Sequence, residues 1–62
     1  MAYEFYWKAG FIGGCITIPS PSNYGEYTKR DLWKAKKAFR SEIREMGFRK
    51  VKIEQIKINY TK

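Results

Sequence analysis

Residues 28–47 read TKRDLWKAKKAFRSEIREMG, and the reading of this stretch decides the fold. Thr28 is an N-cap type, and Asp31 three residues later puts a carboxylate in the first turn, where the helix dipole favours it. Gly47 supplies the C′ stop, with Phe48 placed to pack back on the last turn. Between these signals, Leu32, Ala35, Phe39, Ile43 and Met46 recur at helical spacing and fall within about 40° of Phe39 on a wheel. The spacing predicts a helix from Lys29 to about Met46 with that stripe as its core face.

Upstream, Tyr3, Phe5, Trp7, Ala9 and Phe11 alternate with Glu4, Tyr6, Lys8 and Gly10, the period of a strand. Gly13 and Gly14 break the alternation, and Cys15 to Ile18 is a short β-branched run, so a Gly-Gly hairpin between two antiparallel strands is expected. Pro19, Ser20, Pro21, Ser22, Asn23 and Gly25 form a turn-rich cluster that ends the second strand. Tyr24 and Tyr27, within this connection, are expected to fold back over the core.

Downstream of the helix, Val51 and Ile53 alternate with Lys50 and Lys52, but Ile56, Ile58 and Tyr60 fall in the opposite phase. A slip of one residue at Glu54 or Gln55 calls for a bulge or a turn. The order is strand, strand, helix, strand. One α+β domain over residues 1–62 follows, a small, largely antiparallel three-stranded sheet with one amphipathic helix packed on one face.

A chain of 62 residues buries only about 60% of its unfolded surface, so its core is thin. The sole cysteine is Cys15 and histidine is absent, which leaves neither an intrachain disulfide nor a histidine-ligated metal as a staple. The five Tyr, four Phe and two Trp supply apolar area instead. One cysteine without a disulfide framework fits a reducing, intracellular compartment. The opening residues lack a basic n-region and carry Glu4 and Lys8, unlike a signal peptide. No run approaches the roughly 20 apolar residues of a membrane span.

Catalysis needs tunable acid–base groups, and here histidine is missing and the acids are few and dispersed. Cys15 without a histidine base reads as a small buried residue. FIGG (residues 11–14) lacks the Lys and Ser or Thr of a phosphate-binding loop. The expectation is a protein that is not an enzyme, with no cofactor, no metal and no evident small-molecule substrate.

Thirteen Lys and Arg stand against six Asp and Glu, a formal charge of +7. What matters is whether that charge is gathered, because a gathered patch raises the local potential that holds a polyanion. On the helix wheel, Lys29, Arg30, Lys34, Lys36, Lys37, Arg40 and Arg44 share one broad sector with Trp33 in its middle, and Lys29, Arg30, Lys36, Lys37, Arg40 and Arg44 are the main candidates for contact with phosphates or a partner. Asp31, Glu42 and Glu45 lie on the opposite flank. Like charges at i, i+4 along Lys36, Arg40 and Arg44 weaken an isolated helix by a few tenths of a kcal/mol each, a loss that a binding role would offset. Trp33 lies about 120° from the core centre. It either covers the PSPSNYGEY loop or serves as a stacking platform or anchor among cations. Arg49, Lys50, Lys52, Lys57 and Lys62 keep the last third basic, and the pattern leaves open whether Lys50 and Lys52 extend the helix patch or lie beyond the sheet.

Three resemblances bear on this. KAGFIGGCITI (residues 8–18) resembles the opening of a LAGLIDADG homing endonuclease, but Gly13 and Gly14 stand where that family needs its acidic metal ligand. KAKKAF (residues 34–39) is similar to the Lys-rich start of the last helix of double-stranded-RNA-binding domains, and this implies a grip on phosphates. The strand, strand, helix, strand order resembles a small phage inhibitor of bacterial RNA polymerase, which implies a viral protein that disables a host enzyme. The expected partner is therefore DNA or RNA, held by its phosphate backbone with Trp33 adding stacking or apolar contact, or else an acidic protein surface on which the basic face docks with Trp33 as anchor.

Overall fold

A computed structural model describes residues 1–21 and 27–60. The elements are β1 (Ala2–Ala9), β2 (Ile12–Pro19), α1 (Lys29–Glu45) and β3 (Lys52–Asn59). The three strands form one antiparallel sheet in the order β2-β1-β3, with the helix on one face, so the α+β expectation holds. Tyr24 lies outside the described residues, as do Ser22, Asn23, Gly25 and Lys62. Among the described residues, no helix is long and apolar enough to cross a membrane.

The hairpin turn sits at Gly10–Phe11 rather than at Gly13–Gly14. Ala9 pairs with Ile12, and Gly10 takes a φ of +64°, as the first central position of a type II′ turn requires; glycine accepts this without a Cβ penalty. Phe11, which the period assigned to the core face, is fully exposed at the tip. Gly13 and Gly14 belong to β2, opposite Lys8 and Trp7. A Cβ on Gly14 would stand 3.1 Å from the Trp7 ring. The second glycine is there to seat an indole.

On the far side of the sheet, Tyr6 pairs with Gln55 while Trp7 pairs with Ile53. Glu54 is therefore the extra residue of a β-bulge, as the phase slip in the sequence requires. The bulge brings Ile53, Ile56 and Ile58 into register with Trp7, Phe5 and Tyr3, so these isoleucines of both sets face the helix, while Tyr60, beyond the strand, is 63% exposed.

Tyr3, Phe5, Trp7, Ile18, Ala35, Phe39 and Ile43 make the buried core. Phe39 stacks on Phe5 with ring centroids 4.8 Å apart. The helix turns a slightly different side inward than its apolar stripe suggests: the buried row is Asp31, Ala35, Phe39 and Ile43, while Leu32 is half-buried and Met46 is 52% exposed. Asp31 thus departs from the solvent flank assigned to it. Its carboxylate accepts hydrogen bonds from the Tyr3 hydroxyl and, at 2.7 Å, from Ser20 Oγ, and burying a carboxylate demands such partners. Tyr27, expected over the core, is 43% exposed, and Cys15, expected to be buried, is exposed.

Both helix ends follow the sequence signals. Thr28 Oγ1 accepts from the Asp31 amide at 3.0 Å. At the other end, Gly47 (φ +93°) donates its amide to the Arg44 carbonyl and Phe48 donates to that of Ile43, the paired bonds of a Schellman motif. Phe48 then packs on Trp7, centroids 5.1 Å apart. The helix lies over β1 and β2, and its backbone makes no close approach to β3. This offset opens the cleft described next.

Candidate nucleic-acid interface

The cationic face of α1 is solvent-facing as the wheel requires. Lys29, Arg30, Lys37, Arg40 and Arg44 are exposed, and Lys36 is half-buried, which suits a side chain that lays its stem on the core and keeps its charge in water. Trp33 is 57% exposed, and Lys37 Nζ lies 4.6 Å from its ring centroid, a cation–π contact across one helical turn. Glu42 and Glu45 are exposed on the other flank, and Asp31 is buried and bonded. No helix acid interrupts the sector.

The structure brings part of this set together. Between the C-terminal half of α1 and β3 lies a cleft of about 260 Å³, with Phe39, Ile43, Phe48, Val51 and Ile53 as its apolar lining and Arg40, Arg44 and Arg49 as its polar one. A second depression beside Gly47 is lined by Arg44, Phe48 and Arg49. A third, along the helix, is lined by Lys37, Arg40, Ser41 and Arg44. Arg44 belongs to all three. Lys29 and Arg30 stand apart at the N-terminal end, about 15 to 22 Å from the Arg40–Arg44 pair at 1.5 Å per residue.

Arg49 and the apolar lining of the cleft were absent from the sequence-based site. The usable signal was Gly47: a left-handed C′ residue reverses the chain, so the residue two positions on returns beside the last turn. Lys52, by contrast, goes to the open face of the sheet, paired across from Lys8. There the Tyr6 ring has Lys57 Nζ 5.6 Å from its centroid, and Glu4 accepts from the Tyr6 hydroxyl and from Asn59 Nδ2. That bond to Glu4 raises the Tyr6 hydroxyl above the ordinary tyrosine range. The open face is a mixed polar surface, whereas the lining of the helix-side cleft holds cations without an acid.

Arginines converging beside an apolar floor suit an anionic ligand that also has an apolar body, because guanidinium forks bind phosphate or carboxylate bidentately. Among the described residues no group of three or more His, Cys, Asp or Glu stands close enough to hold a metal ion. No family model matches this chain, and neither a curated protein nor a solved structure does.

Proposed function

We propose that this chain is a small non-catalytic binding protein that grips the phosphate backbone of nucleic acid with the cationic side of α1. The observation that carries the reading is the convergence of Arg40, Arg44 and Arg49 on one cleft whose lining contains no acid. Lys36 and Lys37 extend the field along the helix, Lys29 and Arg30 reach a more distant phosphate, and Trp33 adds a stacking surface. A cytosolic setting, where an exposed Cys15 stays reduced, suits this role.

Titration of labelled DNA and RNA at two salt concentrations tests the reading. Binding to phosphates weakens steeply with salt because counterions are released, with a log–log slope of about 0.7 to 0.9 per phosphate contacted. The double variant Arg40→Glu/Arg44→Glu keeps the fold, since both side chains are exposed, and abolishes binding. Affinity equal to the parent's refutes the proposal.

A second reading, a modulator that docks on another protein through an apolar contact, is favoured by a different place. Phe11 is fully exposed and Ile12 is 55% exposed at the hairpin tip, an apolar projection of the kind that anchors protein contacts. Under that reading nucleic-acid affinity is negligible before any mutation, and Phe11→Ala abolishes recovery of the partner.

A further inference from the structure

The phosphate-gripping role does not by itself explain why the arginines surround an apolar cleft. A duplex keeps its bases stacked and offers a protein phosphates, sugars and groove edges. Phe48, Val51 and Ile53, half-buried in the cleft lining, have little to meet there. A single strand differs, since its unstacked bases splay out and lie against aromatic side chains or guanidinium planes.

Resting on the reading above, we infer that the Arg40–Arg44–Arg49 cleft is a subsite for one unstacked nucleotide of a single-stranded nucleic acid. The base enters against Phe48 and Val51, and the flanking phosphates lie on the three guanidinium groups. Charge complementarity points to this occupant. The lining bears three cations and no acid, and the depression beside Gly47 that shares Arg44, Phe48 and Arg49 with it continues the same cationic surface. Trp33 supplies a second base platform on the same sector. From Trp33 to Arg44 the helix rises about 16 Å at 1.5 Å per residue, a span that an unstacked strand, longer per nucleotide than the roughly 3.4 Å of a stacked duplex strand, covers with a few nucleotides.

The test is fluorescence anisotropy with end-labelled oligo-dT and oligo-U of two to ten nucleotides, and with a blunt ten-base-pair duplex, at one fixed salt concentration. Single strands are expected to bind at least about tenfold tighter than the duplex, a difference of about 1.4 kcal/mol. Affinity is expected to climb with length and level off before ten nucleotides. Val51→Glu, which puts a charge into the cleft, removes the single-strand preference. Arg49→Ala, at an exposed position that the core does not need, lowers single-strand affinity more than duplex affinity, which keeps the cleft testable if Val51→Glu fails to fold. Duplex and single strand bound equally, with both lost in Arg40→Glu/Arg44→Glu, would leave the phosphate reading standing and overturn the cleft. Competition by free mononucleotide as effective as by the oligomer would also overturn it. Absence of any nucleic-acid binding, with an acidic peptide bearing apolar residues bound in a Val51-dependent way, would overturn the cleft and the broader reading together.

Discussion

The hydroxyl of Tyr3, on the central strand, donates a hydrogen bond to the carboxylate of Asp31 in the first turn of the helix, and both residues are buried. The bond crosses from sheet to helix between residues 28 positions apart and fixes the helix rotation that brings Asp31 inward. Burial pushes the Tyr3 hydroxyl well above the ordinary tyrosine value of 10.0, and the hydrogen bond and charge of Asp31 push it further. The folded chain therefore holds a proton that the unfolded chain releases, so this contribution is whole below about pH 10 and is lost as the pH rises toward the folded value. Melting temperature measured from pH 8 to 11 should fall at the alkaline end in the parent and fall less in Tyr3→Phe. At neutral pH the same substitution should cost about 1 to 3 kcal/mol, because Asp31 loses a donor in a dry site.

Phe39 and Met46 lie on the same sequence stripe but in different surroundings. Phe39→Ala should destabilise by about 3 to 5 kcal/mol, through the cavity left against Phe5. Met46→Ala, at a half-exposed helix end, should stay within about 0.5 kcal/mol of the parent. Urea denaturation reads both, and equal losses would contradict the helix rotation.

The indole of Trp7 lies against Gly14, where an added Cβ would meet the ring at 3.1 Å. Gly14→Val is therefore expected to displace the ring and cost about 1 to 3 kcal/mol, as overpacking does. Near-ultraviolet circular dichroism should lose tryptophan signal in this variant. An unchanged spectrum and melting point would contradict the seating of Trp7.

Deleting Glu54 turns residues 52–58 into a strict alternation, Lys-Ile-Gln-Ile-Lys-Ile, that still turns Ile53, Ile56 and Ile58 toward the helix. Inserting one alanine between Ile56 and Lys57 sends Ile58 to the opposite face and removes a half-buried apolar side chain from the helix side, a loss of about 1 to 1.5 kcal/mol, part of the value for full burial. Thermal melts should rank the deletion as the milder change. The reverse order would mean that the bulge serves packing rather than phase.

Trp33→Ala should leave stability within about 0.5 kcal/mol of the parent, since the ring is 57% exposed. If the ring stacks on a base, single-strand affinity should fall by about 1 to 3 kcal/mol, with an unchanged salt slope because no phosphate contact is lost.

Periodicity and end signals, both local quantities, were enough to delimit the helix from Thr28 to Gly47, to order the four elements and to place the slip at Glu54 or Gln55, because each depends on residues a few positions apart; the pairing with β1 chose Glu54. The cationic sector was legible for the same reason: angles on a helix follow from spacing alone. The turn at Gly10 was not, since three glycines within five residues offered competing turn sites, and the choice rests on Trp7 needing a bare backbone at Gly14 across the strand pair. Asp31 looked like a solvent-side acid until Tyr3 and Ser20 met it in space. The same holds for the cleft: Arg49 and Val51 join Arg40 and Arg44 only because the helix settles over β1 and β2 and leaves the inner face of β3 partly uncovered, an offset that follows from side-chain packing between distant segments.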